Sequence, residues 1–138
     1  KYHSSGLGLE SREARLPVFE AAADWLERYF SGKCPEPDEL PLAPRGSDFR
    51  RSVWRLLLEI PSGEVRSYGE IARSLGASAR AVGGAVGHNP ISIIIPCHRV
   101  VGSDGSLTGY AAGLDVKLQL LRREGVKLRQ GPGGWYIA

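Results

Sequence analysis

The sequence contains no methionine, 2 cysteines and 3 histidines in 138 residues. It also lacks any apolar run near the ~20 residues that a membrane-spanning helix needs. Cys34 and Cys97 are too few to staple a small fold, which excludes a disulfide scaffold. A four-ligand zinc site is equally out of reach. Cys34, His3 and His88 show no ligand spacing around Cys97. No metal and no cofactor are expected. The first residues lack the basic, apolar and small-residue succession of a secretion signal. That points to a reducing, cytoplasmic setting in which both thiols stay free. The missing methionine at position 1 fits a sequence trimmed at its start.

What is present is an ordinary globular composition, 42% hydrophobic and 24% charged. The net charge of +3 is unevenly placed. Residues 1–45 carry 6 Lys/Arg against 8 Asp/Glu, and residues 46–138 carry 12 against 7. A basic module behind an acidic leader makes nucleic acid a candidate partner. The division coincides with a compositional break. Residues 33–47 hold four prolines and read as an extended linker. The expected organisation is a short N-terminal part over 1–45 and a larger module over 46–138.

Pro17 suits the first turn of a helix over 16–31. Phe19, Ala22, Ala23, Leu26, Tyr29 and Phe30 follow helical spacing there, and Gly32 can end it. Ser47 is placed to cap a second helix over 48–60. Ser67 and Glu70 have the spacing of a capping box, which predicts a third helix over 68–75, ended by Gly76. A fourth follows Ser78. Two short helices around a glycine turn form a helix-turn-helix pattern. In the fourth helix Ala81, Gly83, Gly84, Ala85 and Gly87 leave the surface almost bare. Each helical glycine costs up to ~1 kcal/mol, so three of them need a reason. Close backbone approach supplies one, either to the protein's own interior or to a partner. The run Ile-Ser-Ile-Ile-Ile at 91–95 predicts a buried strand, 114–124 a last helix, and 131–134 the tip of a hairpin.

Cys97 follows this apolar run and Pro96. Its thiolate would be the reactive form, and the adjacent His98 and Arg99 offer a cationic setting. By itself a Cys-His neighbour pair is more often structural than reactive. Glu124, at the end of the last helix, reads by itself as a solvated carboxylate.

The motifs taken together are more specific. PCHRV at 96–100 is accompanied by RSYGEIA at 66–72, ARAVGGAV at 79–86, HNP at 88–90, LTGYAAG at 107–113 and RREG at 122–125. In that order they resemble the active-site domain of the 6-O-methylguanine-DNA methyltransferase family. The resemblance implies an α/β protein. Its C-terminal active-site domain would be mainly helical, with a helix-turn-helix and short strands, behind a truncated α/β N-terminal part. It implies a monomer that acts on double-stranded DNA containing alkylated guanine, flips the base out, and takes the alkyl group onto Cys97 in one turnover. It implies 4-O-alkylthymine as a second substrate and a place near the nucleoid in a prokaryote.

Site roles follow from the same resemblance. His98 would take the thiol proton through a bound water, and Glu124 would orient His98. Asn89 would tie backbone groups near Cys97 and link the DNA-binding helix to the active-site strand. Tyr68, Tyr110, Ala111 and the carbonyls of Cys97 and Val100 would hold the base. Ser67, Tyr68, Ala81 and Gly84 would meet DNA, with Arg80 filling the space that the base leaves. Three competing classes predict otherwise. A lesion sensor would lack Cys97, a Cys-His hydrolase would not need the bare helix, and a transcription factor would not need Cys97, His98 and Glu124 together.

Overall fold

The computed structural model describes residues 12–110 and 113–138. Ala111 and the first eleven residues, His3 among them, lie outside the described residues. Helix α1 spans Arg12–Phe30. It begins before the expected 16–31, so Pro17 lies within the helix rather than at its first position. A helix of 19 residues tolerates the one amide hydrogen bond that proline cannot make. Its inner face carries Trp25 and Tyr29, both buried, with their rings stacked at 5.8 Å. Gly32 terminates it with φ at 98°, where a side chain would be strained.

The proline-rich segment is not a free linker. Leu40 is buried, and a 3₁₀ turn covers Pro37–Glu39. The Trp25 indole N–H donates to the carbonyl of Glu36 at 2.8 Å. A buried indole needs an acceptor, and the prolines hold the chain where one is offered. Trp25, Tyr29 and Leu40 thereby join the same hydrophobic core as the helices that follow.

Helix α2, Asp48–Leu58, starts at Ser47, whose hydroxyl accepts from the amide of Arg50 at 3.1 Å. Val53, Trp54 and Leu57 form its buried stripe. Strand β1, Arg66–Ser67, leads into α3, Tyr68–Leu75. The capping box closes in both directions. The Ser67 hydroxyl accepts from the Glu70 amide at 3.0 Å, and the Glu70 carboxylate accepts from the Ser67 amide at 2.7 Å. Gly76 at φ 63° turns the chain into α4, Ala79–Gly87, capped by Ser78. The Trp54 indole N–H donates to the Ala85 carbonyl at 2.8 Å and locks α2 to α4. Helices α3 and α4 form the helix-turn-helix.

Residues 91–95 are not the expected strand. Their hydrogen bonds stay local, from the Ile94 amide to the Ser92 carbonyl and from the Ile95 amide to the Ile91 carbonyl. Ile93 takes φ 74°, which β-branched residues rarely adopt. Burial of Ile91, Ile94 and Ile95 satisfies their apolar character without a ladder, so β-propensity yields to tertiary packing. The strand lies a few residues later. Strand β2, Val100–Val101, pairs in parallel with β1, Arg66 opposite Val100 and Ser67 opposite Val101. Helix α5, Leu114–Arg123, and an antiparallel hairpin of β3, Leu128–Gly131, and β4, Gly134–Ile137, complete the chain. Among the described residues no helix is long and apolar enough to cross a membrane.

Candidate active site

Cys97 opens a 3₁₀ turn over Cys97–Arg99, and its amide donates to the Ile95 carbonyl at 2.8 Å. The side chain is buried and lines a cleft of about 450 Å³ together with Tyr68, Asn89 and Tyr110 among others. Asn89 braces this cleft. Its amide nitrogen donates to the Ile95 carbonyl at 2.8 Å, and its amide oxygen accepts from the Ile91 amide at 3.0 Å. It therefore connects the end of α4 to a turn rather than to a strand. Burial pushes the Cys97 thiol above its ordinary pKa, although Asn89, Tyr110 and the charge of Lys117 oppose the rise. The resting group is a thiol that needs a base.

His98 is fully buried beside it in sequence. Its Nε2 lies 2.7 Å from Oε2 of Glu124. A carboxylate accepts only, so Nε2 carries the proton and Nδ1 is the basic nitrogen. Nδ1 is buried and has no hydrogen-bond partner among the described residues. Burial lowers the His98 pKa, the charges of Arg99 and Lys117 lower it further, and Glu124 opposes them. The imidazole is thus neutral at neutral pH and able to accept a proton at Nδ1.

Glu124 caps the C-terminal end of α5, yet its side chain is only 2% exposed. Besides His98 it accepts from Arg99 Nε at 2.8 Å, Arg99 Nη2 at 3.0 Å and the Tyr29 hydroxyl at 2.6 Å. Burial alone would raise its pKa. The donors on His98, Arg99 and Tyr29 outweigh burial and hold it down at about 2. Arg99 also donates from Nη1 to the Ile60 carbonyl at 2.6 Å, so the ion pair is fixed at both ends.

Sequence reasoning missed three groups here: Tyr29, Arg99 as a partner of Glu124, and Lys117. Lys117 is fully buried, and its Nζ donates to the carbonyls of Val100 at 2.6 Å and Thr108 at 2.8 Å. Burial pushes its pKa down to about 8, against the pull of Cys97. A signal was available: Lys117, Leu120, Leu121 and Glu124 share one helical face. A lysine on an apolar stripe is an anomaly that calls for a partner. Tyr29 gave no such signal, because its spacing made it a core aromatic.

The other sequence-named residues divide by location. Tyr68 begins α3 and lies half-buried along the cleft with Tyr110. The Ser67 hydroxyl is engaged in capping α3. Val100 is buried, with its carbonyl already accepting from Lys117. Arg80, Ala81, Gly84 and Gly87 are exposed on α4. Among the described residues a Cβ built on Gly83, Gly84 or Gly87 would meet nothing within 4 Å. Tight packing inside the protein is therefore not why α4 is bare. Gly84→Leu should keep or raise the thermal midpoint, since leucine favours helix over glycine by roughly 0.8 kcal/mol. Duplex affinity, read by fluorescence anisotropy, should fall by about tenfold or more, as for a side chain holding a helix off a narrow groove. Unchanged affinity would remove α4 from the interface. Among the described residues no cluster of three His, Cys, Asp or Glu side chains is placed to hold a metal ion.

The model of the 6-O-methylguanine DNA methyltransferase DNA-binding domain matches residues 48–126. A methylated-DNA–protein-cysteine methyltransferase of Methanosarcina barkeri is 60% identical over 113 residues, 80% of this chain and 71% of that protein. The crystal structure of Mycobacterium tuberculosis OGT with DNA is 56% identical with a TM-score of 0.73. The match covers 77% of this chain and 66% of that one. The S. pombe Atl1 complex with damaged DNA containing O6-carboxymethylguanine is 38% identical with a TM-score of 0.58. It covers 67% of this chain and 90% of that one. The family match spans α2 to α5, the elements that hold Cys97, His98, Asn89 and Glu124. By that match and by identity to its relatives, the chain belongs to the 6-O-methylguanine-DNA methyltransferase family.

Proposed function

We propose that this protein repairs DNA by moving the alkyl group of 6-O-alkylguanine, and also of 4-O-alkylthymine, onto its own Cys97. The observation that carries the reading is the position of the buried thiol. It lies in a cleft whose lining includes Gly83 and Gly87 of the bare helix α4. Helix α4 docks in the minor groove, and Arg80 occupies the stack after the base has rotated out. Flipping costs a few kcal/mol, less where alkylation has already weakened the pair. Tyr68 presses on the neighbouring phosphate. Tyr110, the carbonyls of Cys97 and Val100, and the backbone N–H of Ala111 hold the base.

His98 Nδ1 takes the thiol proton through a water. The sulfur then forms a bond to the alkyl carbon while the carbon–oxygen bond breaks. The electron pair of that bond stays with the guanine, which takes a proton at N1 from water as His98 returns the thiol proton to water, so charge and atoms balance. A positioned base contributes typically 10²–10⁴-fold. The thioether is stable, so each molecule acts once. The protein works as a monomer in the cytoplasm, at the nucleoid in a prokaryotic cell.

The test is mass spectrometry of the Cys97 peptide after incubation with duplex DNA bearing 6-O-methylguanine. One methyl per protein is expected. Tight lesion-specific binding without methylation would overturn the transfer reading in favour of a sensor. Arg80→Ala should slow repair in duplex DNA by about tenfold or more, because the vacated stack is then unfilled. It should leave reaction with a free 6-O-alkylguanine base nearly unchanged. Equal loss on both substrates would sink the role given to Arg80. Binding should weaken with salt and show little sequence preference.

A further inference from the structure

We infer that Tyr29 is a positioning residue of the reaction: its hydroxyl, delivered by α1, tunes how strongly Glu124 supports His98 as a base. The inference rests on the alkyl-transfer reading above and adds a residue from outside the region that the family model matches.

The geometry is specific to one oxygen. Tyr29 donates to Oε2 of Glu124 at 2.6 Å, 95 positions away in sequence. The same oxygen faces His98 Nε2 at 2.7 Å and accepts from Arg99 Nη2 at 3.0 Å. Oε1 takes Arg99 Nε alone among the described contacts. The hydroxyl is not there for packing. The ring is already held by its stack on Trp25 and by an edge contact with Phe30 at 5.1 Å. The end of α1 is pinned as well, since Arg123 donates from Nη1 to the Phe30 carbonyl at 2.9 Å. A phenylalanine would keep the ring contacts and lose only the donor.

The consequence has a sign. A donor on Oε2 withdraws electron density from the carboxylate and weakens it as an acceptor for His98 Nε2–H. The imidazolium is then less stabilised, and the His98 pKa is lower than it would otherwise be. Burial and the Glu124 contact push the Tyr29 phenol upward, so it remains a neutral donor throughout the working range. The other charges around these groups are Arg99 and Arg123 at Tyr29, and Arg99 and Lys117 at His98. The Tyr29→Phe substitution leaves each of them in place.

The experiment is the pH profile of single-turnover methyl transfer from duplex DNA, over about pH 5 to 9, for wild type, Tyr29→Phe and Trp25→Phe. In Tyr29→Phe the acid limb should move up by roughly half a pH unit, because His98 is protonated earlier. Trp25→Phe loosens α1 by losing its bond to Glu36. It should lower the thermal midpoint and leave the limb in place. Coincident limbs for wild type and Tyr29→Phe overturn the proposal. So does an equal shift in Trp25→Phe, which would report loosening of α1 alone. If the wild type transfers nothing, the functional reading fails, and NMR titration of the His98 imidazole decides separately. A higher pKa in Tyr29→Phe supports the link, and identical titrations overturn it.

Discussion

Cys97→Ala should yield a protein that still binds duplex DNA and transfers no alkyl group. The side chain removed is small and buried, so the cleft and α4 keep their shape. Arg80, Ala81 and Gly84, proposed above to meet DNA, lie on a different element and are exposed. The other thiol, Cys34, is exposed in the proline-rich segment and is not among the groups lining the cleft. Mass spectrometry of the whole protein should show no methyl on the variant, while anisotropy at fixed salt gives an affinity within about twofold of wild type. A methyl found on Cys34, or loss of binding together with transfer, would contradict the role of Cys97.

Glu124→Gln should be nearly as severe, for a different reason. The substitution keeps the shape and removes the charge. Arg99 is then a buried guanidinium without a counter-ion, and breaking a buried pair in this way costs about 3–5 kcal/mol. His98 also loses the carboxylate that fixes its Nε2 proton, so transfer should fall by roughly 10²-fold or more. The pH dependence is a sharper test. The folded pKa of Glu124, about 2, lies below its ordinary 4.5. The stability it contributes is fully present above the ordinary value and is lost as pH falls from 4.5 towards 2. That contribution is roughly 3 kcal/mol. Urea midpoints at neutral and acid pH should fall steeply for wild type and much less for Glu124→Gln. Parallel falls would mean that another carboxylate governs acid unfolding.

These two predictions draw on residues of very different legibility. Local signals were strong where backbone chemistry is local. Ser47, Ser67 with Glu70, Ser78 and Gly76 marked helix ends, and each makes the expected cap. The family motifs identified Cys97 and its neighbours. Sequence pattern failed where tertiary contacts decide. The isoleucine run became a turn because burial, not strand pairing, satisfied it. The proline segment became part of the core because Leu40 and the Trp25 indole needed partners. Glu124 looked like a solvated carboxylate because no local pattern records that Tyr29, His98 and Arg99 converge on it. Such convergence exists only after folding.

The open space above Gly83, Gly84 and Gly87 bears on how this protein would respond to selection. Each glycine leaves roughly 1 kcal/mol of helix stability unrealised, against a total of about 5–15 kcal/mol for a domain. Among the described residues nothing lies within 4 Å of a Cβ built at these positions. A laboratory screen for heat resistance conducted without DNA would therefore enrich alanine and leucine there early. The survivors would be sturdier proteins with a thickened α4, the face proposed to meet DNA, and a screen blind to repair would score them as improvements. Any stabilised version of this protein should take its gains from elsewhere on the molecule and keep these three positions fixed.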